Sequence, residues 1–186
     1  MTVANDTIRA ERLLLRPLRA SDTDTLFALF ANWEVVRWLS TPPWPYTLDD
    51  AEGFVAAQMG VDTARSLYCA IALDDALIGA IDARSIRPAG APARSPILGY
   101  WLGQPYWGQG YMTEAAQAFI RYLFDSAAAD TIYSGAFAGN SASLRVQEKL
   151  GFERTGEEML YCRPCGEKRL HINMELPRSR FRAGPR

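Results

Sequence analysis

The chain has 186 residues, a hydrophobic share of 48%, a charged share of 22% and a formal net charge of −1. That is enough chain for one globular domain with a sizeable core, and it lacks the basic field that holds nucleic acid by its phosphates. No apolar run approaches the roughly 20 residues that span a bilayer, the start MTVANDTIRAER has no apolar signal core, and three cysteines, an odd number, fit a reduced compartment, so a cytoplasmic protein without nucleic-acid or membrane partners is expected.

In chain order, Arg9 to Arg19 (RAERLLLRPLR) reads as a first strand stopped by Pro17. Ser21 and Asp22 start a helix whose apolar face is Leu26, Phe27, Leu29 and Phe30. Asn32 to Pro45 is irregular and rich in tryptophan, and Thr47 begins a second helix that runs to about Met59. Leu67 to Leu73 and Leu77 to Ile86 form a hairpin around Asp74-Asp75. A loop of small residues, Pro88 to Pro96, leads to the strand around Leu98, Tyr100 and Leu102. Thr131 to Phe137 is a strand, and Ser141 to Leu150 a helix ended by Gly151. Two last strands, Phe152 to Cys162 and Lys168 to Leu176, flank the turn Arg163-Pro-Cys-Gly166. With no repeat and no dividing linker, a single domain over 8–177 is expected, followed by a solvated basic tail over 178–186.

The organising stretch is Ile97 to Phe124. An alternating strand ends in Gln104 to Gly110, and from Tyr111 the period changes to helical, with Met112, Ala115, Ala116, Phe119 and Leu123 on one face. A glycine turn feeding a helix makes an anion site: the first amides have no internal partner and lie at the positive end of the helix dipole. Gly108 and Gly110 let a phosphate approach the backbone. An ordinary strand-to-helix turn is the plain alternative. No Gly-Lys-Ser/Thr follows, so this is not a P-loop, and the dinucleotide pattern Gly-x-Gly-x-x-Gly is absent.

The segment GYWLGQPYWGQGYMTEA resembles the acyl-CoA-binding core of the GNAT N-acetyltransferases, and most closely the RimJ/RimL-like branch that acetylates ribosomal-protein N-termini. The family motif Gln/Arg-x-x-Gly-x-Gly/Ala falls on Trp107 to Met112, with Trp107 in place of Gln/Arg and Met112 in place of the small residue. A second block, Asn140-Ser-Ala-Ser143 through Glu148-Lys149-Leu-Gly151-Phe152, resembles the branch's Asn-x-x-Ser…Glu-Lys-x-Gly-Phe helix. The resemblance implies a mixed α/β (α+β) GNAT fold: a central twisted mixed sheet of about seven strands with about four helices, splayed at Leu98 and Tyr133 to admit the cofactor. It implies acetyl-CoA as cosubstrate, no metal, and an amine acceptor, in a monomer or homodimer.

By that resemblance, Trp107, Gly108, Gln109, Gly110, Tyr111, Met112 and Thr113 hold the pyrophosphate, while the backbone of Trp101, Leu102 and Gly103 bonds the pantetheine arm. Asn140 is a helix cap, a pantetheine contact, or both. Many members protonate the leaving thiolate from a Tyr at the place of Gln147, which cannot act as an acid; the branch suggests Ser143 instead, as catalytic and cofactor-binding residue. Trp38, Trp44 and Tyr46 are the expected acceptor wall, with core packing of that loop as the alternative. For a general base the candidates are His171, the only histidine, Glu114, and one of Glu157 and Glu158. Cys162-x-x-Cys165 reads as a hairpin pair rather than a metal or redox site. A protein or peptide N-terminus is the first acceptor, with a polyamine, amino acid or aminoglycoside as the alternative. A CoA-binding sensor without turnover is the rival of a different class.

Overall fold

The computed structural model describes residues 7–59, 66–84, 95–125 and 129–182. Eight strands form one mixed sheet: β1 (Ile8–Arg9), β2 (Leu13–Arg16), β3 (Ser66–Leu73), β4 (Ala76–Arg84), β5 (Ile97–Leu102), β6 (Thr131–Phe137), β7 (Glu153–Cys162) and β8 (Glu167–Pro177). Five helices flank it: α1 (Thr23–Phe30), α2 (Trp33–Val36), α3 (Leu48–Met59), α4 (Tyr111–Asp125) and α5 (Ser141–Leu150). The strand order is β1-β2-β3-β4-β5-β6-β8-β7. Every neighbouring pair is antiparallel except β5 and β6. The mixed sheet flanked by helices is the architecture expected, with one strand and one helix more.

Two cores sandwich the sheet. On one face α4 and α5 bury Met112, Phe119, Ile120, Leu123 and Leu150 against Leu98, Leu102 and Ile132. On the other, α1 and α3 pack Leu26, Phe30, Ala51 and Val55 over Ala70 and Leu77. The period-2 alternation of β5 sorts its side chains between them: Leu98 and Leu102 belong to the first core and Trp101 packs against the second.

The first strand is broken. Ala10 donates its N–H to Leu13 in a turn that separates β1 from β2, a turn without Gly or Pro to announce it. Arg16 at the end of β2 is buried and makes two bonds of 2.8 Å to the Asp22 carboxylate. Burial works against the charge on Asp22, but Arg16 and the Arg19 amide outweigh it and hold the carboxyl below its usual range. The irregular aromatic segment contains α2, capped by the Asn32 side chain on the Glu34 amide. The Asp74-Asp75 turn has φ of 49° and 67°, the left-handed pair of a tight hairpin, while Ile86 and residues 88–94 of the expected loop lie outside the described residues.

The segment after β8 is docked rather than solvated. Arg178 donates to the Phe124 and Ala129 carbonyls, Phe181 packs on Phe124 with ring centroids 5.6 Å apart, and the Arg182 amide bonds the Leu150 carbonyl. It therefore extends the packed domain past Pro177 to Arg182.

Candidate active site

The site grows from the one parallel seam of the sheet. Gly103 donates its N–H to the Ile78 carbonyl at 2.9 Å, and Trp101 stands opposite Ala80. Backbone groups alternate sides along an antiparallel ladder, so Trp101 and Gly103 spend theirs on β4. Tyr100 and Leu102 turn theirs the other way, toward β6. There the two strands share a single register pair, Ile97 with Tyr133. Tyr133 donates to the Pro96 carbonyl at 2.9 Å and the Ser134 hydroxyl to the Leu98 carbonyl at 3.1 Å. Beyond Leu98 the strands part, as expected. The backbone that faces the gap is thus that of Tyr100 and Leu102, a correction to the expected run Trp101 to Gly103.

A cleft of about 860 Å³ follows this gap. Its wall includes Trp101, Leu102, Trp107, Gly108, Gly110, Tyr111, Met112, Thr113, Asn140 and Ser143. Gly103 and Gln109 are off it: the Gly103 amide serves the sheet, and the Gln109 side chain donates back to the Pro105 carbonyl. Of the aromatic segment, Trp38 reaches the wall. Trp44 does not; it stacks on Trp33 with centroids 5.2 Å apart. Tyr46 is a core residue, edge-on to Phe30 at 4.8 Å, with its hydroxyl pKa pushed up to about 12 by burial. Trp44 and Tyr46 are therefore corrected from acceptor wall to packing.

At the head of the cleft lies the glycine turn. Gly108 and Gly110 have φ of 76° and 83°, a backbone that other residues rarely adopt. A β-carbon on Gly108 would meet nothing within 4 Å, so the turn is open to a ligand. Among the described residues no protein acceptor meets the amides from Gly108 to Thr113, whereas Trp107 bonds the Gln104 carbonyl and Glu114 the Gly110 carbonyl. Met112 lines the cleft while belonging to the core, where it is 8% exposed. The Trp107 indole N–H bonds the Leu102 carbonyl at 2.8 Å, pinning the turn to β5. Arg12 braces it from the other side: its amide and guanidinium bond Glu114 at 2.6 and 2.7 Å, and it stacks on Tyr111 at 4.5 Å. Glu114 is committed to this brace and does not line the cleft.

The start of α5 carries a side-chain cap. Asn140 Oδ1 accepts the Ser143 amide at 3.1 Å. The Ser143 hydroxyl lies 2.9 Å from the Tyr100 hydroxyl, and Gln147 Nε2 lies within 3.2–3.3 Å of both and of the Gly135 carbonyl. Burial pushes the Tyr100 pKa up, so its phenol stays protonated. Sequence reasoning saw that Gln147 replaces the usual Tyr but missed that Tyr100, from a different element, brings a phenol to the same spot. Arg145 and Lys149 of α5 add positive charge to this wall.

On the α1/α2 side the wall carries Trp38, Glu158, His171 and Asn173. Glu157 points the other way and pairs with Arg154. The Cys162 and Cys165 thiols donate to the Arg37 carbonyl behind Trp38, where Arg169 stacks on Trp38 at 5.1 Å.

Comparison with known proteins agrees with this geometry. Residues 12–153 match the model of the acetyltransferase (GNAT) domain. The uncharacterized N-acetyltransferase YoaA of Bacillus subtilis (strain 168) is 27% identical over 158 residues, covering 80% of this chain and 84% of its own. An acetyltransferase (GNAT family) from Bacillus anthracis superposes with a TM-score of 0.79 at 25% identity, covering 92% of this chain and 98% of its own. Mycobacterium smegmatis RimJ, solved in complex with CoA-disulfide, has the same fold at a TM-score of 0.79 and 19% identity, covering 94% of this chain and 87% of its own. With a family model over most of its length, the chain belongs to the GNAT family and is an N-acetyltransferase.

Proposed function

We propose that the chain transfers an acetyl group from acetyl-CoA to the α-amine of a protein or peptide N-terminus. The observation that carries the donor assignment is the run of amides from Gly108 to Thr113 that no protein acceptor meets among the described residues, at a turn that opens onto a cleft continuous with the β5–β6 gap. The diphosphate of coenzyme A fits that end by charge and by approach. The pantetheine arm follows the gap, where the Tyr100 and Leu102 backbone and Asn140 face it. An N–H of β5 then polarises the thioester oxygen, a contribution of about 3–4 kcal/mol when the donor is pre-placed. The rest is positioning of two bound reactants.

Collapse of the tetrahedral adduct releases a thiolate. The Ser143 oxygen accepts from Gln147 and shares a 2.9 Å bond with the Tyr100 hydroxyl in which either oxygen can donate; with Tyr100 as donor, the Ser143 hydrogen is free to turn to the cleft. Ser143 is the proton donor in this reading, and Tyr100 is its support. The amine enters from the side of Trp38 and Glu158. An α-amine, with pKa about 7.7–8.0, is roughly a fifth to a third neutral at pH 7.4, against about one lysine in a thousand. The RimJ/RimL-like motif points the same way.

The test is release of free thiol from acetyl-CoA with three acceptors: a peptide with a free N-terminus, the same peptide blocked and carrying a lysine, and a polyamine. Fastest release with the free N-terminus is expected. Faster lysine or polyamine turnover would move the acceptor to those classes. Binding without release on any acceptor would overturn turnover itself.

A further inference from the structure

The acceptor side of the cleft holds one imidazole, and its surroundings are built for it. His171 stands opposite Phe137 in the β6–β8 ladder, but its ring leans along β6 over Gly135: a β-carbon there would collide with the imidazole and with the Ile172 carbonyl. Glycine at 135 is what lets the ring lie toward the gap between β5 and β6. The ring is also locked. Nδ1 lies 3.0 Å from Asn173 Oδ1, and Phe137 meets it edge-on at 5.6 Å. An amide oxygen only accepts, so Nδ1 carries the hydrogen and Nε2 keeps its lone pair. Across the hairpin Glu158 is the register partner of His171 and lines the same cleft wall.

We infer that His171 is the general base of the reaction, and that Asn173 is the positioning residue that fixes its tautomer. This rests on the acetyl-transfer reading above. The acceptor arrives as R–NH3+ and gives one proton to Nε2. The neutral amine's electron pair forms the C–N bond at the thioester carbonyl; as the C–S bond breaks the thiolate takes the Ser143 hydrogen, the surplus N–H proton of the adduct passes through solvent to restore Ser143, and His171 returns its proton to solvent. The acceptor's own acidity narrows its class: an α-ammonium of pKa about 8 gives up its proton about two and a half pK units more readily than a lysine ammonium of about 10.4. The charged and titratable groups around the ring are Glu158 from β7, Arg169 on β8, Tyr133 on β6 and Arg37 beside Trp38.

The experiment uses the full chain with acetyl-CoA and the free-N-terminus peptide. His171→Gln keeps size and polarity but accepts no proton at this pH. It is expected to lower kcat/KM by about 10²-fold or more, remove the low-pH limb of the profile, and leave the acetyl-CoA Kd within about two-fold, with added imidazole restoring turnover to His171→Ala. Because this is the only histidine, nitrogen NMR reads its tautomer directly: the Nδ1–H form is expected in the wild type and a mixture in Asn173→Ala. A His171→Gln enzyme that keeps its turnover and its low-pH limb, or a wild-type Nε2–H tautomer, overturns the assignment while acetyl transfer stands. A wild type that releases no thiol with any acceptor overturns both.

Discussion

Two strand–turn–helix units flank the seam of this sheet, and their helices begin in opposite ways. The unit β6–α5 closes its helix from within: Asn140 takes the Ser143 amide, and the first turn folds into a network with Tyr100 and Gln147. The unit β5–α4 leaves its helix open, with two left-handed glycines and a run of amides that no protein group meets among the described residues. A helix end costs stability when its amides lack partners. Among the described residues α5 has one such amide capped by Asn140 and α4 has none capped, and there the turn is braced externally through Trp107 and Arg12. The open end is where a ligand completes the structure, and the closed end is where side chains are held still for chemistry.

Substitutions can break this contrast, and the largest effect is expected at the open end. Gly110→Val puts a branched side chain at φ of 83°, a strain of about 1–3 kcal/mol on the backbone that would meet the diphosphate. Acetyl-CoA affinity by calorimetry should fall at least about 100-fold, while the far-ultraviolet circular dichroism spectrum persists. At the closed end the effect moves from binding to turnover. Ser143→Ala should lower kcat by about tenfold or more and leave the acetyl-CoA Kd nearly unchanged; equal loss in both, or none, would reduce Ser143 to a structural hydroxyl. Asn140→Ala removes a cap, for about 1 kcal/mol of stability in thermal unfolding. The smallest effect belongs to Arg12→Ala. It loosens the brace on Glu114 at an exposed site, with a few-fold weakening of acetyl-CoA and no change in kcat.

Much of this contrast was legible in the chain. The switch of hydrophobic period at Tyr111, the glycines before it and the Asn140-to-Gly151 frame locate both units to within a residue, because each signal is local. What escaped reading depends on partners distant in sequence. That Tyr100 and Leu102 rather than Trp101 face the gap follows from the register with β4. Tyr46 and Trp44 are expected in an acceptor wall by the family resemblance, and only contacts with Phe30 and Trp33 send them elsewhere. Tyr100 meets Gln147, and Glu158 meets His171, across elements whose pairing no local pattern encodes. The glycine at 135 reads as an ordinary strand residue until the imidazole is seen lying over it.

The central claim is that the open amides of α4 grip the diphosphate of coenzyme A. A crystal structure of the acetyl-CoA complex tests it directly. Diphosphate oxygens within about 3 Å of amides between Gly108 and Thr113, with the pantetheine arm along Tyr100 and Leu102, are the predicted result. Coenzyme density elsewhere, or those amides occupied by protein groups, would contradict it.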